Sequence, residues 1–358
     1  MNLRRTLPLL LLPLLPMRAY GAPRPAAPIP VKVVVVAMFE LGADTGDAPG
    51  EYQFWVEREH LDQTLPFPAG NRDLRMNSNG VLAVLTGEGT AKAAATIMAL
   101  GLDPRFDLSK AYWLVAGIAG ADPAKASLGS AVWTDYVVDG DLAYEIDARE
   151  MPAGWSTGYI PLAKESPFEP PAEAKQGQLY QLNPATMEWA YGLTKDIPLG
   201  DTDAIRARRA EFEQEAAKKP PSVMKGSELS ASTYWHGKIL DQWANAWVAY
   251  YTGGKGSYFT SAMEDTGTLQ SLTFLAKARK IDYSRVMVLR TVSNFDQQRP
   301  GVTAAESLAE QRVSKYGGYM ASLESAYAVG HVVVDQLVQN WSKYRDHSPG
   351  EAATAPHP

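Results

Sequence analysis

Apolar positions in this chain fall mostly into short unbroken runs, separated by glycines, prolines and acidic residues. Val31 to Phe39 reads V-K-V-V-V-V-A-M-F, Ala111 to Ala116 reads A-Y-W-L-V-A, and Arg285 to Val292 reads R-V-M-V-L-R-T-V. Runs that are apolar at successive positions, not alternate ones, predict strands buried on both faces, as in the centre of a largely parallel sheet. Val81 to Thr86 predicts another strand. Ala131 to Trp133 and Tyr136 to Val138, punctuated by Gly129 and Gly140, predict two more, and Ser222 to Thr233 is expected to return to the sheet. Helical spacing appears between these runs, at Ala93 to Leu100, at Lys238 to Tyr250 with Trp243, Trp247 and Tyr250 on one face, and at Thr266 to Lys280. The last long helix is expected over Lys315 to Tyr344, burying Leu323, Tyr327, Val334, Leu337 and Trp341. Strands alternating with helices predict a three-layer α/β/α sandwich around a mixed central sheet, in one domain over residues 31–345.

The texture changes over 151–221, where Pro and Gly are frequent and an inserted region is expected. It holds one helix with Asn183 as cap and Pro184 in its first turn, and a second, densely charged and solvent-facing, over Asp203 to Lys219. Residues 346–358 read as a disordered tail. At the other end, Arg4 and Arg5 precede the apolar run Leu7 to Met17, followed by small residues at Ala19 and Gly21. That order predicts a secretory signal peptide over 1–22 and hence an exported protein, periplasmic or secreted.

Composition narrows the chemistry. There is no cysteine, so neither disulfides nor thiolate catalysis nor thiolate metal sites enter the picture. The formal net charge is −6, and loss of the leader's arginines would make it more negative, which argues against nucleic acid as a partner. No later segment reads as a membrane span.

Candidate chemistry collects at predicted strand ends, where open α/β sheets bind ligands. The stretch F-T-S-A-M-E-D-T-G, Phe259 to Gly267, joins a strand to a helix through Met263 and Glu264. Glu264 could take hydrogen bonds from two neighbouring sugar hydroxyls. Glu264 and Asp265 would equally serve as first-turn acids on a helix dipole. Asn294 can donate and accept together on a purine edge, and Asp296 can move a proton. Tyr234, Trp235 and His236 could stack on and hydrogen-bond a flat heterocycle, or simply pack. The G-E-G-T-A-K turn, Gly87 to Lys92, lets backbone approach a ligand but lacks dinucleotide or P-loop spacing. The loop Glu40 to Glu51 carries four acids.

Taken together, V-V-V-V-A-M-F-E-L, T-G-E-G-T-A-K, W-L-V-A-G-I-A-G, S-A-M-E-D-T-G and R-T-V-S-N-F-D resemble, in order and spacing, the purine nucleoside permease family. Its core is similar to the nucleoside phosphorylase and nucleosidase superfamily. The resemblance implies a nucleoside-phosphorylase-like fold in which Met263 and Glu264 hold ribose, while Tyr234, Trp235, His236 and Asn294 meet the base. It implies Asn294 or Asp296 stabilising the departing purine. Phosphate or water would sit on the side of Gly87, Gly89, Thr90, Lys92, Gly117 and Ile118. Glu40 is the candidate base on the first loop, one position from the expected place, which holds Leu41. The resemblance further implies cleavage of an N-glycosidic bond by phosphate or water, in nucleoside uptake or salvage. The alternative is a non-catalytic nucleoside-binding component that serves a membrane transport partner. No metal or organic cofactor is required, phosphate being a possible co-substrate, and a homo-oligomer is expected.

Overall fold

The computed structural model describes residues 27–174, 177–311 and 317–350. The expected leader and residues 351–358 of the expected tail lie outside them. Ten strands form one mixed sheet: β1 (Val33–Ala37), β2 (Gln63–Leu65), β3 (Leu74–Met76), β4 (Val81–Leu85), β5 (Tyr112–Ala121), β6 (Ala131–Asp139), β7 (Leu179–Gln181), β8 (Val223–Ser230), β9 (Tyr258–Ala262) and β10 (Val286–Phe295). The helices that matter here are α1 (Gln53–Arg58), α2 (Thr90–Gly101), α3 (Pro184–Thr194), α4 (Asp203–Arg209), α5 (Glu215–Lys218), α6 (Lys238–Thr252), α7 (Asp265–Lys277), α8 (Ala304–Glu310) and α9 (Tyr319–Gln339).

The unbroken apolar runs are buried on both faces, as their pattern requires. In β1, Val34 and Val36 join Leu82, Val84, Trp113 and Val115 beneath Ile97 and Leu100 of α2 and Leu269, Leu272 and Leu275 of α7. Their neighbours Val33, Val35 and Ala37 face the other way, against Trp55 of α1 and Val329, Val333 and Leu337 of α9. Two helical layers therefore sandwich the sheet, and burying each aliphatic side chain stabilises it by about 1.5–3 kcal/mol.

β1 lies between β4 and β5, parallel to both, and β5 is also parallel to β10. Beyond that the sheet closes on itself. β10 pairs antiparallel with β6, β6 parallel with β8, β8 parallel with β9, and β9 antiparallel with the end of β5. Five strands thus make a ring, and β1 to β4 form an open wing. Register slips at Ser227/Glu228 in β8 and between Val292 and Asn294 in β10, the kind of bulge that re-aims side chains near a site.

Some expectations are redrawn. The two fragments around Ala131 and Tyr136 are one strand, β6. The helix expected over 203–219 is two short ones, α4 and α5, because Phe212 between them turns inward to pack with Ile205, Ala217 and Phe295. The last long helix begins at Tyr319 and ends at Gln339. Asn183 caps α3, its side chain accepting from the backbone N–H of Ala185 and Thr186. No helix among the described residues is long and apolar enough to cross a membrane.

Candidate functional site

The ends of β1, β5, β9 and β10 converge on a cavity of about 170 Å³. Met38 and Phe39 follow β1, Ile118 to Gly120 lie in β5, Ser261 to Glu264 end β9, and Ser293, Asn294 and Asp296 end β10. Tyr234, Trp235, Glu51, Glu88, Leu41 and Tyr319 complete most of the wall.

Glu264 stands at the helix cap of α7 yet does not cap it. Its carboxylate accepts instead from the N–H of Gly89 at 3.1 Å, ahead of α2, and of Met263 at 3.2 Å. Asp265 beside it reaches Arg290 of β10, taking Nε at 2.9 Å and Nη2 at closer range. Arg290 is fully buried, with Glu264 at 3.5 Å and Glu228 of β8 at 3.7 Å, and it donates to the Ile118 carbonyl at 3.1 Å. Three carboxylates share one guanidinium. Burial pushes the Glu264 carboxyl up, which Arg290 opposes, and burial with Asp265 nearby pushes Glu228 well up. Glu228 is buried beside Asp265, an arrangement that keeps its carboxyl neutral.

A fourth acid faces this group. Glu51 accepts from the N–H of Met38 at 2.8 Å and of Ile118 at 2.7 Å. Burial raises its carboxyl to about 8; Arg290 opposes the rise and Glu264 adds to it. Of the two acids at the ends of the first loop, Glu51 lines the cavity and Glu40 does not. Glu40 is absent from the cavity wall because it organises the loop, its carboxylate accepting from the N–H of Leu41, Gly50, Tyr52 and Gln53.

At the opposite end, Asp296 accepts from Ser261 Oγ at 2.9 Å and from the Tyr258 hydroxyl at closer range. Burial raises it to about 7, the two hydroxyls opposing and Asp122 adding. Behind it, burial with Asp122 and Asp296 nearby lifts Asp241 of α6 to about 8. Asn294 accepts from Ser293 Oγ at 2.8 Å and donates to Gln311 at 3.4 Å. Trp235 leans on Trp243 and Tyr258.

Of the expected site residues, Met263, Glu264, Asn294, Asp296, Tyr234, Trp235 and Ile118 line one cavity. His236 does not: its ring lies between Ser307 at 3.0 Å and Gln311 at 3.3 Å, and burial pulls it down to about 4, so it stays neutral. Gly87, Gly89, Thr90, Lys92 and Gly117 lie behind the wall, although Gly89 reaches Glu264 and Thr90 donates to the Met263 carbonyl at 3.2 Å. Glu51, Arg290 and Glu228 went unassigned in the sequence. For Arg290 a signal existed, since an arginine in an otherwise apolar strand must be paired.

The fold is the one seen in nucleosidases. A Helicobacter pylori MTAN mutant, solved with 5′-methylthioadenosine in its active site, superposes with a TM-score of 0.50 at 13% identity, over 85% of this chain and 99% of that one. Residues 30–349 match the model of the family described as Purine nucleoside permease (NUP), and the chain belongs to that family. It is 30% identical over 330 residues to the purine nucleoside permease of Candida albicans, covering 91% of this chain and 79% of that one. A probable purine nucleoside permease of Schizosaccharomyces pombe is 31% identical over 272 residues, 73% of this chain and 77% of that one.

Proposed function

We propose that this protein binds a purine nucleoside in the cavity and cleaves its N-glycosidic bond with water. The observation that carries the reading is Glu51, a buried carboxyl on the cavity wall facing Glu264, where an attacking phosphate would meet two acids. In this reading Glu264 and Met263 hold the ribose. Glu51 takes a proton from water as that water bonds to C1′ and the C1′–N bond breaks, its electron pair passing to the base. Asp296 supplies a proton to the departing purine, with Asn294 beside it fixing the base edge. Cleavage proceeds through an oxocarbenium-like state, and fixed carboxylates facing the developing cation lower its energy. A base whose pKa lies near the working pH is well matched to proton transfer, and about 8 meets that condition.

A second reading rests on the permease relatives: the chain binds nucleoside without cleaving it and delivers it to a membrane partner. Export through the leader at 1–22 and assembly as a homo-oligomer belong to either proposal. The test is incubation with inosine, guanosine and adenosine, with and without phosphate, following free base by chromatography. Hydrolysis requires phosphate-independent release that collapses in Glu264→Ala and Glu51→Gln. Release only with phosphate overturns the role given to water, and binding without release leaves the delivery reading.

A further inference from the structure

The wall of the cavity is chemically one-sided. Glu51, Glu88, Glu264 and Asp296 line it, and among the described residues no Lys, Arg or His side chain does. Arg290, a cation close behind it, is already engaged by Asp265 and shared with Glu228 and Glu264. Asp122 stands behind Asp296 and adds negative potential at that end. Aromatic faces are also present, since Trp235 and Tyr234 line the same wall. Carboxylates and indole or phenol faces together are the environment in which an organic cation is bound in preference to a neutral molecule of the same shape.

We propose that the cavity favours ribonucleosides whose base is itself a cation, such as pyridinium or N-alkylated purine ribosides, over neutral nucleosides. The proposal rests on the nucleoside-binding reading above and specifies the charge of the ligand. Cleavage of such a substrate balances simply. Water bonds to C1′ and gives its proton to Glu51, the C1′–N bond breaks, and its electron pair neutralises the base. Ribose, neutral base and one proton result, and no acid is needed at the leaving group. A neutral purine, by contrast, needs the proton on Asp296. The two substrate classes therefore ask for opposite protonation states of one residue.

The test uses nicotinamide riboside, whose ring carries a fixed positive charge, and its 1,4-dihydro form, which is close in shape and neutral. Inosine is the third ligand. Affinities are measured by calorimetry on the full chain at pH 6 and pH 9. At pH 9 the oxidised riboside is expected to bind about tenfold tighter than the dihydro form, the worth of one charge pair in a partly screened site. The gap should narrow at pH 6, as Asp296, faced by Asp122, Asp241 and Tyr258, and Glu51, faced by Arg290 and Glu264, take up protons. Asp296→Asn should narrow it at pH 9 too; if that variant does not fold, the pH comparison in the native chain decides. Equal affinities at pH 9, or tighter binding of the dihydro form, overturn the proposal. Inosine bound while both pyridine ribosides fail leaves nucleoside binding intact and refutes the cation preference. Failure of all three ligands refutes the nucleoside-binding reading itself.

Discussion

Two glycines three residues apart on β5 serve the two ends of the cavity, and the ends solve the same problem differently. A Cβ on Gly117 would lie 2.4 Å from Glu51 Oε1 and 2.8 Å from Arg290 Nη1; one on Gly120 would lie 2.0 Å from Asp296 Oδ1. In both places the missing side chain lets a carboxyl enter the wall. At the Gly117 end a buried arginine offsets the acids, whereas at the Gly120 end Asp296 is held by the hydroxyls of Tyr258 and Ser261. A shared guanidinium lets several carboxyl groups crowd one place, at a large structural cost if the cation goes. Compensation by hydroxyls holds one carboxyl poised near neutrality.

Removing the arginine should therefore have the largest effect. Arg290→Met strands Asp265, with Glu264 beside it, without a counter-ion, and the expected loss of stability is about 3–5 kcal/mol, read by urea unfolding at pH 7. A loss below about 1 kcal/mol would mean the acids are already neutral without it, erasing the contrast between the ends.

Glu51→Gln sharpens the same contrast through pH. The folded-state carboxyl is raised to about 8 from the ordinary value of 4.5, so its contribution to stability is fully present below the ordinary value and is lost as pH rises through 8. An amide never has to ionise. The variant should match the native chain below pH 4.5 and exceed it at pH 9 by a few kcal/mol in thermal or chemical unfolding, while nucleoside cleavage is lost. Equal stability at both pH values would mean that Glu51 ionises freely in the fold.

How much of this could be read from sequence differs from element to element. The central strands were legible because burial on both faces demands an unbroken apolar run, and V-V-V-V-A has no alternative use. Ring closure was not, since nothing in R-V-M-V-L-R-T-V says that the strand pairs with β6 on one side and β5 on the other. The strand-to-helix junction at Met263 and Glu264 was visible in local spacing. The choice among loop acids was invisible: Glu40 and Glu51 differ in which backbone N–H groups they meet, and the loop's path decides that. Nothing local marks Tyr258 as a site residue, although its hydroxyl holds Asp296. Charge clusters such as Arg290 with Asp265 and Glu228 join three distant segments, so only the fold assembles them.

The two glycines give a matched pair of smaller perturbations. Gly117→Ala must displace Met38, Glu51 or Arg290, and Gly120→Ala must displace Asp296. Each is expected to cost about 1–3 kcal/mol by overpacking. Their effects on the proposed cleavage should part: Gly117→Ala disturbs the water-activating carboxyl for every nucleoside, whereas Gly120→Ala disturbs the leaving-group acid and spares the cleavage step, though not the affinity, of substrates that leave without a proton. Parallel losses on neutral and cationic nucleosides would show that the ends do not act separately.

The smallest expected effect is Tyr258→Phe, which removes one donor from Asp296 and leaves the ring packed against Trp235. The hydroxyl favours the ionised carboxylate, so its loss moves Asp296 further up from about 7. The cost should be about 1–2 kcal/mol where Asp296 is ionised, near pH 9, and less at pH 5 where it is protonated in either protein. In cleavage of a neutral purine, the alkaline limb set by a protonated Asp296 should move to higher pH, because the acid keeps its proton longer. A limb that stays in place, measured on inosine beside the native chain, would assign that proton to another group and leave Asn294 as the contact to the base at this end.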